Sequence, residues 1–134
     1  MAIQSSHANP ILVTGAAGAV CSIGRNVTEM LLAKAFKVRA LVRREDERAE
    51  ALRQLGAEVM QGDLTDLTAM HRAIEGCARI YFGMSVSADY LTATVNTAAV
   101  ARHHGVEAFV NMSQMTVTQK IGRASCRERV CLYV

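Results

Sequence analysis

The 134-residue chain has no tryptophan, a single proline and only 4% aromatic residues. It also has no apolar run near the roughly 18 to 20 residues that cross a bilayer, which excludes a membrane-spanning segment. Met1–Asn9 is polar and the apolar run Ile11–Val13 is short, so no secretory signal peptide is expected. With 51% hydrophobic and 20% charged residues, the composition predicts one globular domain, located by default in the cytoplasm.

Cysteines are few and badly spaced for a structural role. Only Cys21 and Cys77 fall within residues 1–119, far apart and outside any C-x-x-C pair. This pattern argues against a disulfide framework and against a zinc site, so we expect no metal. His103 and His104 end a predicted helix, where a cationic side chain interacts favourably with the helix dipole, and we expect them to be caps rather than ligands.

The net charge of +3 lies entirely in the last 15 residues. Residues 120–134 hold four basic side chains and one acidic side chain, whereas residues 1–119 hold eleven of each. The stretch Ile121–Val130 resembles the in-frame translation of a sequencing-library adapter, with a native basic arm as the alternative. We therefore expect residues 1–119 to be an incomplete domain, residues 120–134 to be a non-native tail, and nucleic acid not to be a partner.

Short β-rich runs alternate with helical patterns along the chain, and glycines end three of the helices. The predicted helices cover residues 23–35, 45–55, 67–75 and 88–104, the first with Ile23, Val27, Met30 and Leu31 on one apolar face. The predicted strands are Ile11–Thr14, Val38–Val42, Glu58–Gln61, Arg79–Phe82 and Glu107–Met112. This alternation predicts an α/β fold, a doubly wound parallel sheet of the Rossmann type with about five strands, C-terminally truncated.

The turn after the first strand carries a glycine pattern typical of dinucleotide binding. Gly15 and Gly18 would bring bare backbone N–H groups close to a pyrophosphate at the start of the next helix. We expect the cofactor-binding loop to comprise Thr14, Gly15, Ala17, Gly18, Ala19 and Val20. A purely structural glycine turn is the alternative, and a P-loop is excluded because no Gly-Lys-Ser/Thr follows.

Cys21 occupies the third glycine position of the G-x-x-G-x-x-G pattern. That glycine normally permits close packing of helix on strand, so a side chain there predicts overpacking of about 1–3 kcal/mol. Gly24, three residues further on, could relieve this crowding in part.

Two arginines, Arg43 and Arg44, follow the second strand, where NAD-preferring domains usually carry an acidic residue for the ribose 2′-hydroxyl. Guanidinium groups suit a 2′-phosphate, which predicts NADP (NADPH) in preference to NAD. The alternative is that both arginines are solvated charges beside Glu45, Asp46 and Glu47.

Four segments together resemble the NmrA-like NAD(P)-binding proteins, atypical short-chain dehydrogenases/reductases similar to some NADPH:quinone oxidoreductases. The resemblance covers roughly residues 10–119. The segments that carry it are Thr14–Gly18, Val38–Arg43, Gly62–Asp66 and Val110–Ser113.

The resemblance implies roles for individual residues. It places Arg43 at the adenosine 2′-phosphate, Asp63 at the adenine amino group and Leu64 beside the adenine ring. Gly83 and Met84 would run towards the nicotinamide ribose, and Ser113 would be a catalytic-site residue near the nicotinamide. From the residues alone, Gly62-Asp63 is also a strand-end turn, and Ser113 could simply bond local backbone.

The function implied for the full-length protein is NADPH-dependent hydride transfer to a quinone or carbonyl acceptor, a small-molecule substrate, whereas this fragment alone is expected to be inactive. The Tyr-x-x-x-Lys pair of related dehydrogenases is absent, because Ser85 and Thr94 stand four residues after Tyr81 and Tyr90, and Tyr133 lies in the expected non-native tail. A non-catalytic module that senses NADP(H) and regulates a partner is therefore the alternative.

Overall fold

A computed structural model describes residues 8–18, 23–85 and 87–112 of the chain. Five parallel strands form one sheet in the order β3-β2-β1-β4-β5, which confirms the predicted fold class. The strands are β1 (Ile11–Thr14), β2 (Val38–Val42), β3 (Glu58–Gln61), β4 (Arg79–Phe82) and β5 (Ala108–Asn111). The helices are α1 (Ile23–Ala33), α2 (Glu47–Gln54), α3 (Leu67–Ile74) and α4 (Tyr90–His103).

Helices cover both faces of this sheet, because alternate strand residues point to opposite sides. On one face, Val13, Ala40 and Val42 pack with α1 and α2. On the other, larger side chains such as Leu12 and Phe82 pack with α3 and α4. Within the described part of the chain no helix is long and apolar enough to span a membrane.

Helix boundaries follow capping side chains and glycines. Asp46 accepts the backbone N–H groups of Arg48 and Ala49 at the start of α2, and Asp66 accepts that of Thr68 at the start of α3. The glycines predicted to end α2, α3 and α4 all have positive φ angles, the left-handed backbone conformation that commonly ends an α-helix. They are Gly56, Gly76 and Gly105. Between α3 and β4, Cys77 is a buried free thiol, and burial raises its pKa.

The buried face of α1 differs from the prediction. Met30 is 61% exposed and Ile23 38% exposed, whereas Gly24 and Thr28 are buried. The predicted apolar face was therefore wrong for Ile23 and Met30. Small residues let the helix axis approach the first loop more closely than a row of large side chains would, and that close approach fixes the rotation of α1.

Candidate cofactor-binding groove

A groove of about 400 Å³ lies along the carboxyl edge of the sheet. Loops that follow β1, β2, β3 and β4 line it, together with Asp89, the N-cap residue of α4. This edge is where open α/β sheets bind ligands. The predicted site residues that line the groove are Gly15, Ala17, Gly18, Arg43, Arg44, Asp63, Leu64, Gly83 and Met84.

Thr14 lies beneath the groove rather than in its lining. Its side chain is buried, and its hydroxyl donates to the Gly83 carbonyl at 2.8 Å and accepts the Gly83 N–H at 2.9 Å. A single hydroxyl thus satisfies both backbone groups of a residue 69 positions away. These two hydrogen bonds join the ends of β1 and β4, so Thr14 is a positioning residue for the two loops that follow these strands.

The contact between Gly15 and Gly83 leaves no room for a side chain. Gly15 has a φ of +73°, and a Cβ added there would lie 2.6 Å from the Gly83 carbonyl oxygen. The Gly15 carbonyl accepts the Gly18 N–H at 3.2 Å, which closes the loop as a tight turn. Bare backbone therefore borders this end of the groove, as a bound pyrophosphate requires.

Gly24 provides the close helix contact that the sequence pattern assigned to position 21. A Cβ added to Gly24 would lie 2.8 Å from the carbonyl carbon and oxygen of Gly15 and 2.9 Å from the Ala16 nitrogen. Gly24 thus makes a helix-packing contact of the kind expected at position 21, while Cys21 itself lies outside the described residues and the predicted overpacking there stays a prediction. The loop reaches its packing glycine three residues later than the G-x-x-G-x-x-G spacing assumes.

Four residues discussed above lie outside the described part of the chain. Ala19, Val20 and Cys21 precede α1, and Ser113 follows β5. The roles of Ala19, Val20 and Ser113 stay predictions. The next described residue is Ile23, the first of α1. The first turn of α1 contains no acidic side chain that would repel an anion bound there.

The other end of the groove carries exposed arginines. The Arg43 side chain is 82% exposed, and its Nε lies 3.7 Å from Oδ2 of Asp63. Arg44 is also exposed and forms no ion pair with any described residue. Both side chains border the groove.

The acidic residues next to these arginines have other cationic partners. Glu45 binds Arg53 at 2.7 Å, and Asp46 binds Arg48 at 2.6 Å. The hydrogen bond from Arg48 is the main cause that lowers the pKa of Asp46. Neither of these two acidic neighbours therefore neutralises Arg44.

Asp63 forms a turn at the end of β3. Its Oδ1 accepts the N–H of Thr65 at 2.8 Å and the Thr65 hydroxyl at 2.7 Å. These two hydrogen bonds, with the nearby Arg43 charge, lower the pKa of Asp63. Oδ2 faces Arg43 at 3.7 Å and keeps capacity to accept a further hydrogen bond.

The groove also has lining residues that the sequence analysis did not single out. Asp46 and Arg48 belong to the start of α2, and their positions depend on how the cap orients the first helical turn. Leu41 and Val42 are the last two residues of β2, and the others lie one to four residues beyond strand ends or precede α4, so position at or after a strand end was the available signal. The additional lining residues are Leu41, Val42, Asp46, Arg48, Gly62, Thr65, Ser85, Ser87 and Asp89.

Comparison with known protein families finds a match that covers most of this chain. The profile of a family described as NAD(P)H-binding matches residues 15–128. The chain is 38% identical over 109 residues to the (4-alkanoyl-5-oxo-2,5-dihydrofuran-3-yl)methyl phosphate reductase of Streptomyces griseus, a match covering 81% of this chain and 36% of that protein.

Two solved structures share the fold. Triphenylmethane reductase of Citrobacter sp., complexed with NADP(H), superimposes with a TM-score of 0.65 at 29% identity over 76% of this chain and 36% of that one. The NADPH-dependent quinone oxidoreductase of Escherichia coli, complexed with NADPH, gives a TM-score of 0.65 at 26% identity over 79% of this chain and 37% of that one. The chain thus spans about a third of the length of each of these three proteins.

Proposed function

The chain belongs to the NAD(P)H-binding family, and we infer that it is the cofactor-binding part of an NADPH-dependent reductase. One observation carries this inference: a single groove has side-chain-free backbone at one end and exposed arginines at the other. A dinucleotide with a 2′-phosphate presents two anionic groups, the pyrophosphate and the phosphate on its adenosine ribose. The arginines favour NADPH because NADH lacks the second group.

Each part of the groove would have its own task in holding NADPH. Gly15 and Gly18 would offer backbone to the pyrophosphate, and Arg43 with Arg44 would bind the 2′-phosphate. Oδ2 of Asp63, which keeps capacity to accept a further hydrogen bond beside Arg43, would accept one from the adenine amino group. Leu64 and Met84 are half-buried and pack against the α3/α4 core, which suits them to support flat rings.

The proposed reaction is reduction of a quinone or carbonyl acceptor. Bound NADPH supplies a hydride, and the protein contributes binding, orientation and electrostatics. The likeness to a quinone oxidoreductase supports a quinone-like acceptor, and the likeness to a phosphate-ester reductase supports reductive chemistry on small molecules.

A fluorescence titration tests this function. The chain has no tryptophan, so indole emission does not overlap the signal of reduced cofactor. We expect this chain to bind NADPH saturably and more tightly than NADH, and the full-length protein to oxidise NADPH only when a quinone or carbonyl compound is added. Binding without oxidation across a broad acceptor panel would instead favour the NADP(H)-sensing alternative, and failure to bind either cofactor would contradict both.

A further inference from the structure

Three of the four histidines meet in one cluster on the α3/α4 face of the molecule. His71 belongs to α3, His103 is the last residue of α4, and His104 is the C-cap of α4. His71 and His104 are half-buried and His103 is exposed. The sequence separates His71 from the other two by more than 30 positions, so only the packing of α3 against α4 brings them together.

The three rings form a nearly equilateral triangle. Ring centres are 5.2 Å apart for His71 and His103, 5.2 Å for His71 and His104, and 5.1 Å for His103 and His104. The rings are inclined to one another by 65–86°, so they are not stacked. Three imidazoles on one tetrahedral zinc ion, each with a Zn–N bond of about 2.0–2.1 Å, would hold their ring centres about 5 Å apart.

The ring nitrogens are also close enough to share an ion. One ligand nitrogen from each histidine lies within 4.8 Å of the other two. Nδ1 of His71 and Nε2 of His104 are only 3.0 Å apart, which is within hydrogen-bond distance. Neighbouring ligands of a tetrahedral zinc ion stand about 3.4 Å apart, so this pair needs little adjustment and His103 needs a modest side-chain rotation.

The helix dipole at the cluster favours a cation, whereas the exposed Arg72 and Arg102, next to His71 and His103 in the chain, carry positive charge. The cluster lies at the carboxyl end of α4, where the helix dipole is negative. Imidazole nitrogens suit zinc, copper and nickel, whereas magnesium and calcium require oxygen ligands.

We propose that His71, His103 and His104 form a binding site for a divalent transition-metal ion, with zinc as the first candidate. The bound ion would link α3 to the end of α4. This replaces the expectation of no metal site. The site is independent of the proposed cofactor function. The 14-residue helix α4 runs from its N-cap Asp89, which borders the groove, to the cluster, a distance of about 20 Å along the helix.

Titration with Zn²⁺ alone tests the proposal. The protein is the full chain without an affinity tag, with Cys21, Cys126 and Cys131 replaced by serine so that thiols do not compete. We expect one Zn²⁺ per chain. His71→Phe and His104→Phe keep the aromatic packing but remove the ligand, and each should weaken binding more than about 100-fold, the upper end of the loss seen when groups that merely orient a ligand are removed. His7→Phe is the matched control and should bind as the parent does.

A second readout separates ligation from folding. Zn²⁺ should raise the unfolding temperature of the parent but not that of His103→Phe, whose exposed side chain is the least involved in packing. Zn²⁺ should leave NADPH affinity unchanged. Absence of Zn²⁺ binding by the parent, or equal binding by parent and the three cluster variants, would overturn the proposal.

Discussion

The two ends of the groove are built in opposite ways. At the β1 end, backbone packs against backbone so closely that a Cβ on Gly15 or Gly24 would fall below 3 Å from its neighbours. At the β2 end, Arg43 and Arg44 project into solvent, and among the described residues only Arg43 has an acidic partner nearby. The first end depends on the fold itself, so its residues should govern stability. The second end is adjustable, so its residues should govern which cofactor binds.

The largest effect is expected for Gly15→Ala. The new Cβ would meet the Gly83 carbonyl at 2.6 Å, and φ of +73° already disfavours a side chain. We expect a loss of about 3 kcal/mol or more in the free energy of unfolding, combining overpacking with left-handed strain. Gly76→Ala is the matched control, because φ is +78° and nothing lies within 4 Å of the added Cβ. Urea denaturation measures both, and equal losses would show that crowding at Gly15 is unimportant.

Gly24→Ala should come next, with a loss of about 1–3 kcal/mol, because α1 must move away from Gly15 and Ala16. The informative partner is Cys21→Gly, which restores the G-x-x-G-x-x-G spacing. Since Gly24 already makes the close contact, Cys21→Gly should give no gain in stability. A clear rise in the unfolding temperature of Cys21→Gly would show that the Cys21 side chain crowds the helix–strand contact after all.

Thr14→Val keeps the shape of the side chain but removes the hydroxyl that bonds both backbone groups of Gly83. Leaving those buried groups without partners should cost about 1–3 kcal/mol. Thr97→Val is the control, since the Thr97 hydroxyl only donates to the Ala93 carbonyl one turn back in α4. Chemical denaturation should place Thr14→Val well below Thr97→Val, and the reverse order would refute the bridging role.

The smallest effect is expected for Asp63→Asn, measured as a change in the free energy of unfolding at acid pH. The pKa of Asp63 is lowered in the folded state, so its contribution is fully present above the unfolded value of about 3.9 and is lost as pH falls through the folded pKa. Because Asp63 is nearly half exposed, the stability advantage over Asp63→Asn should stay below about 1 kcal/mol. Denaturation curves between pH 2 and 6 should show this advantage shrinking below pH 4. An advantage independent of pH would contradict the assignment.

Much of the sheet could be predicted because each strand is a short β-rich run with turn residues at its end. Four predicted strands match the structure residue for residue, and β5 is one residue shorter at each end. The groove followed from the predicted parallel sheet, because residues after parallel strands share one edge. Two features escaped prediction. Spacing alone could not show that Gly24 makes the contact expected at position 21, and no local pattern joins His71 to His103 and His104.

The preference for NADPH over NADH is the most direct test of the proposal that Arg43 and Arg44 bind the 2′-phosphate of the cofactor. NADPH and NADH affinities should be measured for the parent chain, for Arg43→Ala with Arg44→Ala, and for Arg102→Ala, which removes a charge near the far end of α4. Hydrogen bonds to a charged group are worth roughly 1.5–3 kcal/mol, so the double variant should lose about 10- to 100-fold in NADPH affinity. Its NADH affinity and unfolding temperature should match the parent, and Arg102→Ala should change neither affinity. Equal losses for NADPH and NADH, or no loss at all, would contradict a 2′-phosphate site at these arginines.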